Sequence, residues 1–173
     1  TQAQNIVKKF KLYQISTGDL LRNEVKNKTT IGKDIENIIS KGDFATDEIV
    51  NELIKNEISN PLNKNKLIFD GYPRSLSQAK NLDSLLNNSN QKIDFIFFLN
   101  VKKETIINRI EKRKVLEKRT DDNLTTILKR YDTYMETTKP VLDFYSKKSN
   151  FYEIDGDAKI EEISSKIDEI LSV

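Results

Sequence analysis

The sequence predicts an α/β fold built on a parallel sheet with helices on both faces. Two observations carry that expectation. The strand-length runs LIFD (67–70) and FIFFL (95–99) are almost wholly apolar and bounded by polar segments. Strands covered on both faces read this way, without polar alternation. Amphipathic segments of helical period separate the runs, and alternating strands and helices favour parallel pairing. At 173 residues the chain fits one globular domain with a sizeable core.

Each element follows in order. Residues 1–10 read as a helix already under way, and 12–16 (LYQIS) as a short strand. Thr17-Gly18-Asp19 then opens a helix to about Lys26. Ile31, Ile35, Ile38 and Ile39 share one face of a helix over 30–40, with Gly42 as its stop. Ile49, Val50, Leu53 and Ile54 stripe another over 47–59, and NPLNKNK (60–66) is a loop. After the 67–70 strand come a helix over 75–87, the 95–99 strand, and a helix over 104–113. A long helix is expected over 121–147, kinked or divided at Pro140. A last strand at 151–154 and an amphipathic helix at 158–171 complete the chain. The helices within 29–59 interrupt the strand rhythm and suggest a small subdomain. Ligands gather beyond the C-terminal ends of strands in such sheets. Ser16 to Asp19, Asp70-Gly71 and Asp155-Gly156 all fall there, which points to one shared cleft.

Composition narrows the chemistry. Cysteine and histidine are both absent, so disulfides, thiolate metal sites and imidazole catalysis are excluded. The lack of cysteine fits a reducing cytoplasm. A net charge of +2 gives no strong pull toward nucleic acid or an anionic membrane. No apolar run approaches the ~20 residues of a membrane helix. Of 29 basic residues, arginine stands only at 22, 74, 109, 113, 119 and 130. In a Lys-, Asn- and Ile-rich chain, arginine is expected to persist where its planar fork is needed, as in gripping phosphate.

Three constellations carry candidate chemistry. In DGYPR (70–74) a carboxylate closes a buried strand, Gly71 allows a tight exit, and Arg74 follows four residues on. Asp70 is placed either to hold water around Mg²⁺ or simply to cap a turn. In STGDLLR (16–22), Arg22 lies one turn into a helix whose N-terminus suits a phosphate; an ordinary cap beside a surface arginine reads the same way. Arg109 and Arg113 share a helix face, with Arg119 and Arg130 beyond. A solvated basic face is the common meaning of such a run, and an RNA-binding face a weaker one, since no aromatic residues interleave it.

Together these motifs resemble the adenylate kinase family. The matching elements are TQAQ at Thr1, ISTGDLLR, GDFATDEIV, FDGYPRSLSQA, RIEKR, RTDD followed by KR, TKPVLDFY and IDG, in family order and spacing. The resemblance implies a three-layer P-loop kinase fold and reversible phosphoryl transfer from Mg-ATP to AMP, giving two ADP. It implies one domain over 1–173: a core at 1–15, 60–113 and 122–173, a helical AMP-binding region at 16–59, and a short lid at about 114–121. Thr17, Arg22 and Gln78 fall on AMP-binding positions, with Gln78 at the adenine edge and Arg22 and Arg74 on the phosphate. The backbone of Asp43, Phe44 and Ala45 would line the adenine pocket, with Gly71, Tyr72, Pro73 and Arg74 along its floor. Arg109 and the Ala158 carbonyl fall at the ATP base. Arg113, Arg119 and Arg130 surround the transferring phosphoryl, oriented by Asp121 and Asp122; Arg119 and Arg130 also reach AMP. Asp70 organises the Mg²⁺ shell.

The same resemblance refines the substrate and the lid. Related UMP/CMP kinases typically carry Ala at the Thr17 position, so Thr17 and Gln78 favour AMP. Only KVLEK separates Arg113 from Arg119, too little for a lid domain or a zinc site. The expected protein is a cytoplasmic monomer whose helices and lid loop close to exclude water. No G-x-x-x-x-G-K segment occurs among its five glycines. In the family TQAQ follows directly on that loop, so the loop and the first, central strand of the sheet are expected upstream of Thr1. A chain genuinely lacking them would have a gap in its sheet and would be a nucleotide-binding or interaction remnant.

Overall fold

The computed structural model describes residues 1–40, 43, 45–117 and 124–172. Helix α1 (Gln2–Phe10) ends on Lys11 in the left-handed conformation and feeds β1 (Tyr13–Ser16). Ser16 closes the strand and caps the next helix, its hydroxyl accepting from the Asp19 amide at 3.4 Å. Helices α2 (Thr17–Lys26), α3 (Thr30–Ser40) and α4 (Asp47–Ile58) follow, then a 3₁₀ turn (Pro61–Asn63) inside the expected loop. Strand β2 (Leu67–Asp70) leads to α5 (Leu76–Asn88), β3 (Ile96–Asn100) and α6 (Lys103–Glu117). Helix α7 (Leu124–Thr133), a π-helical turn (Tyr134–Thr138) and α8 (Lys139–Tyr145) precede β4 (Phe151–Asp155) and α9 (Ile160–Leu171).

Both β pairings are parallel, as expected. β1 pairs with β2, bringing Ser16 opposite Asp70, and β3 pairs with β4, bringing Asn100 opposite Asp155. Among the described residues the strands nevertheless form two sheets of two, not one. A cavity of about 1190 Å³ lies between them, walled by Ile68 and Phe69 of β2, Phe97 and Leu99 of β3, Ile6 of α1 and Ile167 of α9. Ile96, Phe97 and Leu99, read as fully covered, line it and are only half-buried.

Apolar faces sort the helices into layers. Ile154 of β4 packs with Ile6, Ile163 and Ile167, against which Ile68, Phe97 and Leu99 rest, so α1 and α9 cover one side. Ile96 and Phe151 point the other way, onto Ala79 of α5 and Val141 and Tyr145 of α8. Ile15 of β1 joins Ile35, Val50, Ile54 and Ile58 to build the subdomain core of α2, α3 and α4. Gly32 lets α3 touch α2, since a Cβ there would lie 2.0 Å from the Glu24 carbonyl oxygen.

Two boundaries differ from the sequence reading. Helix α6 continues to Glu117, so the first half of the expected lid is helical; Lys114 to Glu117 contain no Gly or Pro to stop it. The break in the long helix begins six residues ahead of Pro140, as a π-helical turn that places the proline in the first turn of α8, where its missing N–H costs nothing. No helix among the described residues is long and apolar enough to cross a membrane.

Candidate active site

The parallel register of β1 and β2 sets their C-terminal ends side by side, and the site grows from there. Gly71 leaves β2 at φ +70°, a left-handed conformation that favours glycine. Its carbonyl becomes a node: Thr17 donates to it from Oγ1 at 3.0 Å, and Arg74 donates from Nε at 2.7 Å. A Cβ on Gly71 would sit 2.8 Å from Arg74 Nη2 and 3.6 Å from Thr17 Oγ1, so only a glycine permits this approach. One turn into α2, the Arg22 guanidinium folds back over Gly18, both terminal nitrogens 3.1 Å from where a Cβ would stand, and pairs with Asp19 at 2.5 Å. Two guanidinium groups thus flank the N-terminus of α2. The helix dipole adds positive potential there, and the set suits an anion.

Arg74 is held from three directions. Its amide donates to Gln78 Oε1 at 2.7 Å, its carbonyl accepts from the Thr138 hydroxyl at 2.9 Å, and its side chain is tied to Gly71. Gln78 in turn donates from Nε2 to Asp47 Oδ1 at 2.7 Å, while Asp47 Oδ2 accepts from Ser75 Oγ at 2.8 Å. Ser75 also caps α5 by accepting from the Gln78 amide at 3.1 Å. The Tyr72 hydroxyl donates to Asn51 Oδ1 at 2.8 Å and lies 3.3 Å from the Gln78 carbonyl. Burial is the main cause that pushes the Tyr72 hydroxyl up to about 12.

The structure therefore brings together Thr17, Arg22, Gly71, Tyr72, Pro73, Arg74 and Gln78. Ala45 is buried in the adjoining subdomain core, and Asp43 is exposed, its carboxylate 2.5 Å from Lys129 of α7. Arg109 is exposed on α6, whereas Ala158 packs against the Ile154 and Ile163 cluster ahead of α9. Phe44, Arg119, Asp121, Asp122 and the helix stop at Gly42 lie outside the described residues. Arg113 and Arg130 are carried by α6 and α7, their side chains outside what is described.

Three participants escaped the sequence reading: Asp47, Thr138 and Gln14. A signal existed for the first. Ser75-Leu76-Ser77-Gln78 has capping-box spacing, which announces that Gln78 reaches back toward the chain entering α5. Here it reaches one residue further than the usual cap, to Arg74, and so needs a second partner for its amino group. Nothing local announces Thr138, which lies 64 residues from Arg74.

For magnesium the residues present are adequate. Among the described residues no three His, Cys, Asp or Glu side chains form a metal cage. An Mg²⁺ that keeps most of its water asks for only one or two carboxylates. Asp70 is exposed at the end of β2, and Gln14, donating from Nε2 at 2.9 Å, occupies one of about four lone-pair sites on the carboxylate.

The fold and this site define a parallel α/β domain with paired guanidinium groups at its strand ends. The family model described as Adenylate kinase matches residues 1–150. An adenylate kinase of Pelagibacter ubique is 49% identical over 199 aligned residues, covering 100% of this chain and 93% of the relative. Those of Azobacteroides pseudotrichonymphae and Mycoplasma capricolum are 41% and 36% identical, covering 96% and 91% of this chain and 87% and 85% of their own. The chain belongs to the adenylate kinase family.

Proposed function

We propose that this chain catalyses reversible phosphoryl transfer from Mg-ATP to AMP, giving two ADP, and that the cluster at the ends of β1 and β2 is its AMP site. One observation carries the reading: Thr17, Gly71 and Arg74 meet on a single carbonyl, with Arg22 one turn along α2. Arg22 and Arg74 take the AMP phosphate as charge-assisted forks, and Gln78 takes the base. Arg113, Arg119 and Arg130 neutralise the phosphoryl group in transit, and Arg109 and Ala158 face the ATP base. Magnesium, when bound with ATP, neutralises phosphate charge. Asp70 holds its water shell. Transfer of this kind needs positioning and charge more than covalent help, so a site without histidine is sufficient.

Closing helices α2 to α4 over the acceptor would exclude water from the phosphates. The test is calorimetric titration of AMP, UMP and CMP, with a coupled assay for ADP on adding Mg-ATP. AMP is expected to bind in preference to both pyrimidine nucleotides, and Arg74→Ala to weaken it at least tenfold by loss of a charged hydrogen bond. Equal affinity for the three, or an Arg74→Ala variant that binds AMP unchanged, would overturn the assignment.

A further inference from the structure

We propose that Asp47 is a positioning residue that fixes which way round the Gln78 carboxamide faces, and thereby sets the order of donor and acceptor offered to a nucleobase. The inference rests on the reading that Gln78 meets the acceptor base. A carboxamide has two ends of nearly equal size, one acceptor and one donor, so only its partners decide the orientation. Each partner of the Gln78 amide can bond in one sense only.

Its Oε1 faces a backbone N–H, that of Arg74, at 2.7 Å, and its Nε2 faces a carboxylate oxygen of Asp47, also at 2.7 Å. The first partner can only donate and an ionised carboxylate can only accept. Turning the amide over would set two acceptors against each other at one end and two donors at the other, in a residue only 5% exposed. Asp47 is itself secured, because its second oxygen accepts from the Ser75 hydroxyl at 2.8 Å. Ser75 and Gln78 belong to the same first turn of α5, so the carboxylate of α4 is fixed to the element whose amide it orients.

With both internal bonds made, Gln78 keeps one N–H and one oxygen lone pair. Their order is set: donor on the Asp47 side, acceptor on the Arg74 side. A 6-aminopurine presents a ring-nitrogen acceptor beside an amine donor. A 6-oxopurine presents a ring N–H donor beside an oxygen acceptor, the reverse order. A freely turning amide serves either base equally, whereas a locked one serves only one of them. Discrimination between AMP and IMP is thus assigned to Asp47, a residue with no contact of its own to the base.

Asp47→Leu is the decisive change, because its side chain is of like size and offers Gln78 Nε2 no acceptor; Asp47→Asn, whose amide oxygen can still accept there, is the control. The AMP and IMP affinities of the parent and both variants are measured by calorimetry. In parallel, the Gln78 side-chain NH₂ is followed by NMR for protection from solvent exchange, a readout that needs no nucleotide. The expected result is a protected Gln78 amide and strong AMP preference in the parent and in Asp47→Asn. In Asp47→Leu, where only the Arg74 N–H still holds the amide, protection is lost and the AMP-to-IMP ratio falls about fivefold or more. An Asp47→Leu variant that keeps its ratio within about twofold overturns the proposal, as does a parent whose Gln78 amide exchanges like that of a surface glutamine. If the parent binds neither nucleotide, the acceptor reading fails and base selection falls with it. The NMR protection still decides whether Asp47 holds the amide.

Discussion

Replacing Gly71 with alanine separates the site's geometry from the stability of the fold. The new methyl group would stand 2.8 Å from Arg74 Nη2 at a residue whose φ is +70°. A non-glycine residue in that left-handed region costs about 1–2 kcal/mol. Restricting the unfolded chain returns roughly 0.4–1 kcal/mol of this. The clash itself is relieved at little further expense, because the obstructing atom ends a flexible side chain. A net loss near 1 kcal/mol lowers Tm by roughly 2–4 °C in a protein of this size. The relief, however, breaks the 2.7 Å bond from Arg74 Nε to the Gly71 carbonyl and turns the guanidinium out of place. Loss of a charged hydrogen bond to phosphate is worth about 1.5–3 kcal/mol, or roughly tenfold to a hundredfold in AMP affinity.

The expected signature is a small change in thermal denaturation beside a large one in AMP calorimetry. Gly32→Ala provides the contrast. Its methyl would meet Glu24 backbone oxygen at 2.0 Å and Val25 backbone nitrogen at 2.8 Å, neither of which can move alone. Folding should suffer there far more than in Gly71→Ala. Unchanged AMP affinity in Gly71→Ala, or a Tm loss as large as that of Gly32→Ala, would refute the reasoning.

Three further outcomes are expected. Thr138→Val leaves the Arg74 carbonyl without the hydroxyl that donates to it at 2.9 Å; urea denaturation should report a loss of about 1–3 kcal/mol, with weaker AMP binding, and Thr138→Ser should restore both. Ile54, wholly buried among the subdomain helices, should cost about 2–5 kcal/mol when cut to alanine, and a loss well under 1 kcal/mol would contradict its place in the core. Burial pushes the Tyr72 hydroxyl up to about 12 and raises that of Tyr145 as well, so folding favours their neutral forms. The stability they contribute is fully present below the ordinary tyrosine value of about 10 and is lost as pH rises through the folded values, about 2–3 kcal/mol for Tyr72. Denaturation midpoints should hold steady up to about pH 9.5 and fall above it. Tyrosinate absorbance that shows both residues titrating at the ordinary value would show them to be solvated.

By itself the sequence determined the order of elements and their inward faces. Apolar spacing is a local property: Ile31 and Ile35, or Ile163 and Ile167, lie on one helix face whatever else the chain does. The same holds for the grouping of Ser16 to Asp19 with Asp70 and Gly71, because parallel strands carry their C-terminal ends to one edge of a sheet; Asp155 and Gly156, grouped with them in the sequence reading, end the other sheet, beside Asn100. What only the tertiary structure decided was which partner each polar group takes. Gln78 read as a group open to a base, yet two of its bonding positions are spent on Asp47 and Arg74. Thr138 read as part of a plain long helix, yet a π-helical turn directs its hydroxyl to the Arg74 carbonyl. The apolar FIFFL run promised a covered strand, and whether a neighbour lies on its open edge was not written in it. Periodicity records which side of an element avoids water, a preference set within one or two turns of chain. A hydrogen bond between residues 31 or 64 positions apart depends on how whole elements are packed, and leaves no period to read.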